Sequence, residues 1–502
     1  MKVLTASETK KAEEYGNLNG LNNDRLMENA GSAASVIIKN HFALAGKRVV
    51  VLTGQGNNGG DGYVVARKLK EYGAKVSVVM AFGLAGTKSS LAMQQRAAAM
   101  QIPIIYYYDN AEISEELIDK ADIIVDGIFG IGFHGALDNN LQTIVQRANN
   151  TKAAKIALDI PSGVICDSGK VLGAAFKADL TVSFIGYKPC HFIAPASDYC
   201  GRVLCASIGF ELPNDFFAFA EVLSAAEAKK MLPEIPWNAN KGTKGTAAIY
   251  AGSFGMAGAA FLAAKAAMRS GAGITRLCVA ESIYPILASM LPEAVFRPLK
   301  EKNGHLCFDS VEYNDLKGIK SVLVGPGIGN NEDTASAVLR LIEAAEVPMV
   351  IDADGLNSIA NNLDVLAKKK IPVIVTPHPG EMARLLKTDV KTVESNRIGF
   401  AKDFSKKYSV ITVLKGAYTV IATPEDKCYI NTTGCEGMAT AGSGDMLSGM
   451  ITAFLANGCT PEKAAAAAVC LHGEAGERTA SRLGVRGMIA SDMIEQLPFI
   501  LN

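Results

Sequence analysis

The sequence predicts an α/β protein of two domains, each built on a largely parallel sheet covered by helices. Short apolar runs rich in β-branched residues alternate with segments of helical spacing along nearly the whole chain, which is the pattern of a parallel sheet. Glycine-rich turns follow several of the apolar runs, for example after residues 48–54. The chain has 502 residues, which is too long for one hydrophobic core and indicates more than one domain.

The first half of the chain alternates between predicted strands and predicted helices. The apolar runs predicted as strands cover 48–54, 75–82, 103–108, 122–127, 155–160, 179–185 and 201–208. Helices are predicted at 5–16, 24–40, 63–72, 89–100, 112–121 and 140–148. Because no helical segment separates the last two strands, we expect them to close the sheet as an antiparallel edge.

The segment 210–244 interrupts this alternation with three prolines and the only tryptophan, Trp237. We place a boundary near 213–222, which gives an N-terminal domain of 1–215 and a C-terminal domain of 222–502. Strands of the second domain are predicted at 246–252, 274–280, 321–325, 348–353, 372–376, 410–414, 418–423 and 427–431. Helices are predicted at 223–231, 258–271, 335–345, 379–386, 394–408, 444–457, 461–480 and 490–497.

The composition argues against several classes of function. Basic and acidic residues number 50 each, so no net charge favours nucleic acid or an acidic membrane as a partner. Residues 1–16 lack the apolar core of a signal peptide, and no apolar stretch is long enough to span a membrane. The ten cysteines are scattered without CxxC pairs, which predicts reduced cysteines in the cytoplasm rather than disulfides or a zinc site.

Residues 441–445, Ala-Gly-Ser-Gly-Asp, carry the strongest chemical signal. An apolar run follows at once, so unpaired backbone N–H groups are expected at a helix N-terminus, where an anionic phosphate binds. Asp445 in the same turn could deprotonate a hydroxyl during phosphoryl transfer. The structural alternative is a glycine-rich turn in which Asp445 only caps the helix.

A second glycine-rich segment, 55–62, lies between a predicted strand and a predicted helix. Strand, glycine loop and helix in this order are typical of a nucleotide-phosphate site. The spacing differs from the GxGxxG dinucleotide pattern, and Asn57, Asn58 and Asp61 add polar oxygens. The loop is therefore a candidate site for a phosphate, a ribose or a hard cation. A tight turn in which Asn and Asp tolerate left-handed backbone is the alternative.

Further candidates stand where predicted strands end, the edge at which open α/β sheets bind ligands. In the first half, Asp126, Asp159 and Ser162 could converge on the glycine loop, although either Asp could instead cap a turn. In the second half, His378 and Lys415 are candidates, with a structural histidine and a solvated lysine as alternatives. The strand-end motifs there are VGPGIG (324–329), DADGLN (352–357), TPHPGE (376–381) and LKGAYT (414–419).

These motifs, in this order, resemble those of two known enzymes over nearly the whole chain. The first half resembles NAD(P)H-hydrate epimerase in LMENAG (26–31), NNGGDG (57–62), VDGIFGIGFHG (125–135) and LDIPSG (158–163). The second half is similar to ADP/ATP-dependent NAD(P)H-hydrate dehydratase in the four strand-end motifs and in GMAGAAFLAAKAAMRSGAG (255–273), NTTG (431–434) and GMATAGSGD (437–445). The chain is therefore identified as a member of the bifunctional NAD(P)H-hydrate repair family.

The resemblance implies an N-terminal Rossmann-like three-layer domain and a C-terminal ribokinase-like domain. It also implies repair of hydrated NADH and NADPH, the dead products of water addition to the nicotinamide ring. The first domain would interconvert the R and S hydrates. The second would dehydrate the S hydrate while it converts ADP to AMP and phosphate, or consumes ATP instead. We further expect a homo-oligomer in the cytoplasm.

For the second domain, the resemblance implies that Asp445 is the base and that the amides of Gly442–Gly444 stabilise the transferring phosphoryl group. A magnesium ion is expected on the nucleotide. The implied nucleotide contacts are Lys415, Gly416, Ala417, Tyr418, Thr419 and Gly444. The implied hydrate contacts are Ala257, Gly327, His378 and Asp445.

For the first domain, the resemblance implies that Asp159 is the acid and base at the carbon that bears the hydroxyl. The implied potassium ligands are Asn58, Asp126 and Ser162, whose oxygens suit a hard monovalent cation. The residues implied to hold the hydrate are Asn57, Asn58, Gly59, Gly60, Asp61, Gly130, Ile131, Gly132, Phe133, His134, Gly135 and Asp159.

Two places depart from the family pattern. Cys435 and Glu436 stand where Asn and a small residue are expected, and Cys190 stands where Gly is expected. We expect neither place to touch a catalytic group, so both bear on nucleotide preference more than on activity.

Two other classes of function compete with the resemblance. A sugar or vitamin kinase would also use an Asp base after a glycine-rich turn, but it would not explain a fused NNGGDG domain. A non-catalytic binding protein would hold the hydrate without accelerating epimerisation.

Overall fold

The computed structural model describes residues 1–213, 215–307, 309 and 316–502. Two compact units divide the chain, residues 1–220 and residues 221–502. Within the described ranges, no helix has the length and apolar character needed to cross a membrane.

The first unit is built on a parallel sheet. Its strands are β1 (Lys2–Val3), β2 (Arg48–Gly54), β3 (Lys75–Phe82), β4 (Ile104–Tyr106), β5 (Ile123–Gly127), β6 (Ala154–Leu158), β7 (Leu180–Phe184) and β8 (Arg202–Ala206). The sheet has the order β4-β3-β2-β5-β6-β7-β8, and every pair in it is parallel. Strand β1 contributes to this unit a bridge between Val3 and Tyr187.

The expected antiparallel edge is wrong, because β8 pairs with β7 in parallel and places Arg202 opposite Leu180. The connection between the two strands contains a 3₁₀ turn at Pro189–His191 and a short helix at Ser197–Cys200. A connection of this length can carry the chain back to the start of the sheet, as a parallel pair requires.

Helices cover both faces of the first sheet. They are α1 (Ala6–Leu18), α2 (Asn23–His41), α3 (Asn57–Glu71), α4 (Lys88–Ala99), α5 (Ala111–Lys120), α6 (Asn139–Asn150) and α7 (Ser197–Cys200). Alternate residues of β2 point to opposite faces. Val49 and Val51 pack with buried residues of α2 and α3, whereas Val50 and Leu52 pack with those of α5 and α6. The unit therefore has three layers, and the predicted α/β class is confirmed.

The second unit has a longer, mixed sheet. Its strands are β9 (Ala220–Glu221), β10 (Thr246–Tyr250), β11 (Ile274–Ala280), β12 (Val295–Leu299), β13 (Glu301–Lys302), β14 (His305–Leu306), β15 (Ser321–Val324), β16 (Met349–Ile351), β17 (Val373–Val375), β18 (Ile411–Leu414), β19 (Val420–Ala422) and β20 (Cys428–Ile430). The order within the unit is β20-β19-β18-β17-β16-β15-β10-β11-β12. Strand β19 is antiparallel to both β18 and β20, and the pairs from β18 to β12 are parallel.

Four strands of the second unit have no counterpart in the sequence prediction. Strand β12 lies at the sheet edge, where Pro298 can stand because an edge strand tolerates a missing N–H donor. Strands β13 and β14 form a short antiparallel hairpin. At the division between the units, Glu221 of β9 pairs with Tyr429 of β20.

The helices of the second unit are α8 (Ala225–Lys230), α9 (Ala257–Arg269), α10 (Tyr284–Met290), α11 (Glu332–Ala344), α12 (Asp354–Ile359), α13 (Asp364–Ala367), α14 (Pro379–Leu386), α15 (Val390–Ser395), α16 (Arg397–Tyr408), α17 (Ser443–Ala456), α18 (Pro461–Leu483), α19 (Ala490–Ile494) and α20 (Leu497–Leu501). The helix predicted at 394–408 is thus divided into α15 and α16. Asn396 divides them, because its backbone is not helical and its side chain caps α16 by accepting from the Gly399 N–H.

Helix α17 carries the Ala-Gly-Ser-Gly-Asp segment at its N-terminus. The helix is buried from Met446 to Ala456. It lies so close to α9 that a Cβ at Gly449 would overlap the Ala263 carbonyl oxygen. Because α17 runs through the core, its first turn is held in a fixed position.

Candidate active sites

A cavity of about 420 Å³ lies at the carboxyl ends of β2, β5 and β6 in the first unit. Most of the residues predicted to hold a ligand line it. They are Asn57, Asn58, Asp61, Gly130, Ile131, Gly132, Phe133 and Asp159. Four predicted residues do not line it, namely Gly59, Gly60, His134 and Gly135.

The NNGGDG segment is helical, not the loop that the sequence predicts. Helix α3 begins at Asn57, and its N-cap Gly56 offers no side chain to the first N–H groups, which leaves them for an anion. The two central glycines serve packing instead of ligand contact. A Cβ at Gly59 would overlap the Gly54 carbonyl oxygen, and one at Gly60 would overlap the Met27 sulfur.

Asp159 forms a buried ion pair that the sequence analysis does not predict. Its Oδ1 atom lies 2.6 Å from Nζ of Lys188, whose side chain is fully buried. The ammonium group also donates to Ser183 Oγ and to the carbonyls of Phe184 and Gly186. Burial opposes the charge on Lys188, but the Asp159 carboxylate outweighs it and raises the pKa of the ammonium. Lys188 therefore provides a fixed positive charge behind the cavity.

His191 holds the backbone of Asp159. Burial and the nearby Lys188 lower the pKa of His191 to about 3, so the ring is neutral. Its Nδ1 atom accepts from the Lys188 N–H, which leaves Nε2 to donate to the Asp159 carbonyl over 3.1 Å. Asp159 has a φ of 65°, a left-handed conformation that costs free energy in a residue other than glycine. The lysine and histidine together fix the carboxylate at the cavity wall.

Two more carboxyl groups line the same cavity. Glu13 reaches it from α1 and Asp61 from α3. Burial and the Asp159 charge raise the pKa of Glu13 to about 7. Burial and the charges of Asp159 and Glu13 raise the pKa of Asp61 well above its ordinary value. The cavity therefore contains acids that retain protons near neutral pH as well as a lysine-paired carboxylate.

The three residues proposed as potassium ligands meet at Phe129. The Phe129 N–H donates to Ser162 Oγ over 3.0 Å, and its carbonyl accepts from Asn58 Nδ2 over 2.8 Å. Ser162 donates to the buried Asp126 carboxylate over 2.7 Å, and burial raises the pKa of Asp126 to about 6. The Asn58 Oδ1 atom is buried, and no described residue donates a hydrogen bond to it.

A larger cavity, of about 870 Å³, lies in the second unit. The described residues that line it include His378, Lys415, Gly416, Ala417, Tyr418, Thr419, Gly444 and Asp445, all of them predicted site residues. Cys435 and Glu436, the two departures from the family pattern, line it as well. Ala257 and Gly327 do not. Gly327 packs against Met256 and Ala259 at the start of α9, the helix that begins at Ala257.

The N-terminus of α17 faces this second cavity. Gly442 is its N-cap in a left-handed conformation, with a φ of 85° and no side-chain cap. No acceptor among the described residues pairs with the N–H groups of Gly444 and Asp445. The Ser443 hydroxyl lies 3.3 Å from Nε2 of His472, whose pKa burial lowers to about 4. These features suit the binding of a phosphate.

Acidic side chains outnumber lysines around this helix end. Lys415 Nζ lies 2.7 Å from Asp352 Oδ1 and 3.8 Å from Glu381 Oε2. Burial and the Asp352 charge raise the pKa of Asp445 to about 7, although Lys415 acts in the opposite direction. Burial and Asp352 also raise the pKa of Glu381. Asp445 is therefore balanced between its acid and base forms near neutral pH.

Arg397 holds the loop that follows β18. Its guanidinium donates to the carbonyls of Ala417, Lys415 and Leu414 over 2.8, 2.9 and 3.2 Å. Gly416 has a φ of 142°, and a Cβ there would lie 2.7 Å from the guanidinium nitrogens. The close stacking of arginine against this glycine fixes the backbone of the Lys415–Thr419 loop.

Sequence reasoning misses several residues that complete the two sites. Lys188 follows a predicted strand in the dipeptide Lys-Pro, and that strand-end position is a signal that could have indicated it. Asp352 and Glu381 stand inside quoted motifs, but their pairing with Lys415 is visible only in the structure. Glu13, Arg397 and His472 lie on helices without a local motif, so nothing near them in sequence points to the sites.

Comparisons with known proteins agree with the motifs. A family model described as NAD(P)H-hydrate dehydratase matches residues 247–499, and one described as YjeF-related protein N-terminus matches residues 23–190. The bifunctional NAD(P)H-hydrate repair enzyme of Moorella thermoacetica is 35% identical over 490 residues, which cover 95% of this chain and 92% of the relative. The corresponding Escherichia coli enzyme is 35% identical and covers 100% of this chain and 94% of the relative.

A solved structure shows the fold of the second unit. A ribokinase-like superfamily protein from Enterococcus faecalis has a TM-score of 0.50 and 23% identity, and the match covers 58% of this chain and 98% of that protein. The family models and the full-length relatives establish that the chain belongs to the family of bifunctional NAD(P)H-hydrate repair enzymes.

Proposed function

We propose that the first unit interconverts the R and S forms of hydrated NADH and NADPH, and that the second unit dehydrates the S form at the expense of ADP or ATP. The observation that carries this proposal is the position of Asp445. It is a buried carboxyl with a pKa of about 7, at an open helix N-terminus beside Lys415. Membership of the repair family supplies the identity of the substrate.

In the second unit, Asp445 takes the proton of the hydrate hydroxyl while that oxygen attacks the terminal phosphorus of the nucleotide. The free N–H groups at the start of α17 and the Lys415 ammonium stabilise the charge on the transferred group. Phosphate then leaves with the electrons of the C–O bond, assisted by the lone pair of the ring nitrogen. Loss of a proton from the adjacent carbon restores the dihydronicotinamide ring, and ADP is released as AMP.

We propose that the Lys415–Thr419 loop contacts the nucleotide and that His378 contacts the hydrate. The His378 ring is held in place, because its Nδ1 accepts from the N–H groups of Gly380 and Glu381. The Arg397 hydrogen bonds hold the loop in the same way. Both parts of the cavity are therefore prepared before a ligand arrives.

Magnesium fits the second cavity as an ion carried by the nucleotide. The described residues contain no cluster of three His, Cys, Asp or Glu side chains arranged to hold a metal. Magnesium ordinarily uses one or two carboxylates together with substrate phosphates. We propose Asp352 and Glu381 as those carboxylates, since they and Asp445 leave more negative charge than Lys415 balances. The bound ion would neutralise charge on the phosphates.

In the first unit, we propose that Asp159 is an acid–base group of the epimerase. Asn57, Asn58 and Asp61 of α3 and the Gly130–Phe133 segment hold the hydrate's phosphates and ribose. Potassium fits the group of Asn58, Asp126 and Ser162, because no residue in the described part of the chain donates a hydrogen bond to the buried Asn58 Oδ1 atom. A bound cation would satisfy that oxygen and help to hold the Gly130 segment beside Asp159.

The test is recovery of NADH from hydrated NADH, measured by absorbance, with ADP and ATP supplied separately. We expect complete recovery from a mixture of R and S hydrates in the presence of one of the two nucleotides. A panel of sugar and vitamin substrates serves as the control for a kinase. Phosphorylation of one of those substrates, without recovery of NADH, would contradict the proposal.

A further inference from the structure

Glu13 shares the first cavity with Asp159 but comes from a different part of the chain. Helix α1 lines the cavity with Thr9, Lys10 and Glu13, and residues four apart lie on one face of a helix. Asp159 lines the same cavity from the end of β6. Glu13 and Asp159, two of the three carboxyl groups that line this cavity, therefore face one space of about 420 Å³ from separate elements, and Asp61 of α3 is the third.

The two carboxyl groups differ in their surroundings. Asp159 accepts a hydrogen bond from the Lys188 ammonium, the partner that an ionised carboxylate requires. Glu13 forms no ion pair within 4.0 Å with any described residue. The charged groups that act on it are Asp159 and Lys188 and, on its own helix, Lys10 and Glu14. The Glu13 charge in turn raises the pKa of the neighbouring Asp61 carboxyl.

This difference leaves Glu13 as the member of the pair that can carry a proton near neutral pH. Burial and the Asp159 charge raise the pKa of Glu13 to about 7, so an appreciable fraction is protonated there. Pairs of carboxyl groups whose environments separate their protonation states are the usual form of an acid–base pair.

We infer that Glu13 is the second acid–base group of the epimerase and works with Asp159 from the other side of the nicotinamide ring. The inference rests on the epimerase activity proposed above. It assigns one proton-transfer group to each face of the ring, whereas Asp159 alone would have to serve both faces.

The reaction balances with these two groups. The Glu13 carboxyl gives its proton to the hydroxyl as the C–O bond breaks, and the ring-nitrogen lone pair stabilises the cation that remains. Water then adds to the opposite face, and the proton that it loses passes to the Asp159 carboxylate. The products are the other epimer, an ionised Glu13 and a protonated Asp159. The reverse direction uses the two groups in exchanged roles, and no oxidant or further reactant is consumed.

Part of the cavity wall is apolar. The cavity is also lined by Leu26, Met27, Ala30, Phe133, Phe184 and Ile208. Such side chains offer no hydrogen bonds to water molecules that could carry protons to the ring, which favours proton transfer by titratable groups at the wall.

The test is the R-to-S exchange rate of Glu13→Gln in the full chain, at saturating hydrate, after subtraction of the spontaneous rate. We expect a loss of at least ~100-fold, the usual scale for an acid–base group. In the wild type the rate should fall as pH rises through about 7, and in Glu13→Gln that decline should disappear.

Glu13→Asp should recover part of the rate. Glu14→Gln is the matched control on the same helix, since Glu14 is exposed, and it should exchange at the wild-type rate.

Three results would overturn the inference. One is a folded Glu13→Gln variant, with an unchanged melting temperature, that exchanges at the wild-type rate. Another is a slower variant that keeps the wild-type pH profile, because it would reduce Glu13 to a structural role. The third is a wild-type protein that shows no exchange above background. Of the three results, only this one would also contradict the proposed epimerase function.

Discussion

The Lys415 ammonium donates to the Asp352 carboxylate over 2.7 Å, and this contact occupies the only lysine among the described residues that line the second cavity. Asp445 and Glu381 share the same cavity, and the described lining residues offer these two acids no lysine or arginine other than Lys415. The excess of negative charge, together with burial, raises the pKa of Asp445 to about 7. A cavity with an excess of negative charge favours a ligand that carries a bound cation.

Asp445→Asn should retain the fold and lose dehydration by at least ~100-fold, because the amide cannot accept the hydroxyl proton. In the wild type, kcat/KM for the S hydrate should fall as pH decreases below about 7, where Asp445 becomes protonated. The measurement is NADH recovery from pure S hydrate across pH, with nucleotide binding as the control. Near-normal turnover by the variant would remove Asp445 from the mechanism.

The same substitution should stabilise the second unit by an amount that grows between about pH 4 and pH 7 and is complete above pH 7. A buried carboxyl whose pKa is raised in the folded state destabilises that state when it ionises. The gain should be on the order of 2–4 kcal/mol at pH 8 and should vanish as pH falls below about 4, where Asp is protonated in both folded and unfolded states. Denaturant unfolding of wild type and variant at pH 4, 6 and 8 measures it. A variant less stable than the wild type at pH 8 would contradict the burial of an ionised Asp445.

Asp159→Ala should abolish enzyme-dependent exchange of R and S hydrates and leave dehydration of pure S intact. It should also destabilise the first unit by about 3–5 kcal/mol, since it leaves the buried Lys188 ammonium without its counter-charge. Asp159→Asn keeps an oxygen for Lys188, so it should lose exchange with a smaller loss of stability. Exchange rates beside melting temperatures distinguish the two effects. A stable Asp159→Asn variant that exchanges normally would leave Asp159 as a turn residue only.

Arg397→Lys should raise KM for the nucleotide by about tenfold with a smaller change in kcat. One ammonium cannot reproduce the planar set of bonds to three carbonyls, so the Lys415–Thr419 loop loses its fixed backbone. Lys406→Gln, an exposed change on the same helix, is the control. An equal rise of KM in both variants, or an unchanged KM in Arg397→Lys, would argue against the role of Arg397 in holding the Lys415–Thr419 loop.

The second unit should work alone. A fragment of residues 222–502 should dehydrate the S hydrate and stall on a mixture of R and S once S is exhausted. A second fragment that begins at residue 215 retains the pairing of Glu221 with Tyr429 and tests whether that strand adds stability. Rapid consumption of pure R hydrate by either fragment would place the epimerase outside the first unit.

The alternation of strands and helices is predictable from the sequence because each buried strand is a continuous apolar run, as β2 and β10 show. The sequence prediction fails where long-range strand pairing sets the direction of a strand, or where a single side chain ends a helix. The direction of β8 depends on a connection whose sequence has little helical periodicity. Asn396 interrupts a helix that the neighbouring residues would otherwise continue. Edge strand β12 carries a proline that argues against a strand in sequence alone.

The candidate sites are predictable to a similar degree. Asp159, Lys415 and Asp445 stand at the ends of strands or the start of a helix, where parallel sheets gather ligand contacts. Their partners Lys188 and Arg397 come from other segments and act through contacts that only the folded chain creates. Spacing along the chain carries no information about such pairs.

The packing of Gly59 and Gly60 has a consequence for how relatives of this protein are classified. Because a Cβ at either position would overlap an atom of β2 or α2, selection for folding alone should preserve these two glycines, even in a descendant that no longer acts on any hydrate. The glycine pair therefore diagnoses ancestry. Whether such a descendant is still an enzyme is better judged from the acid at position 13, because the ion pair of Asp159 and Lys188 is itself part of the buried structure.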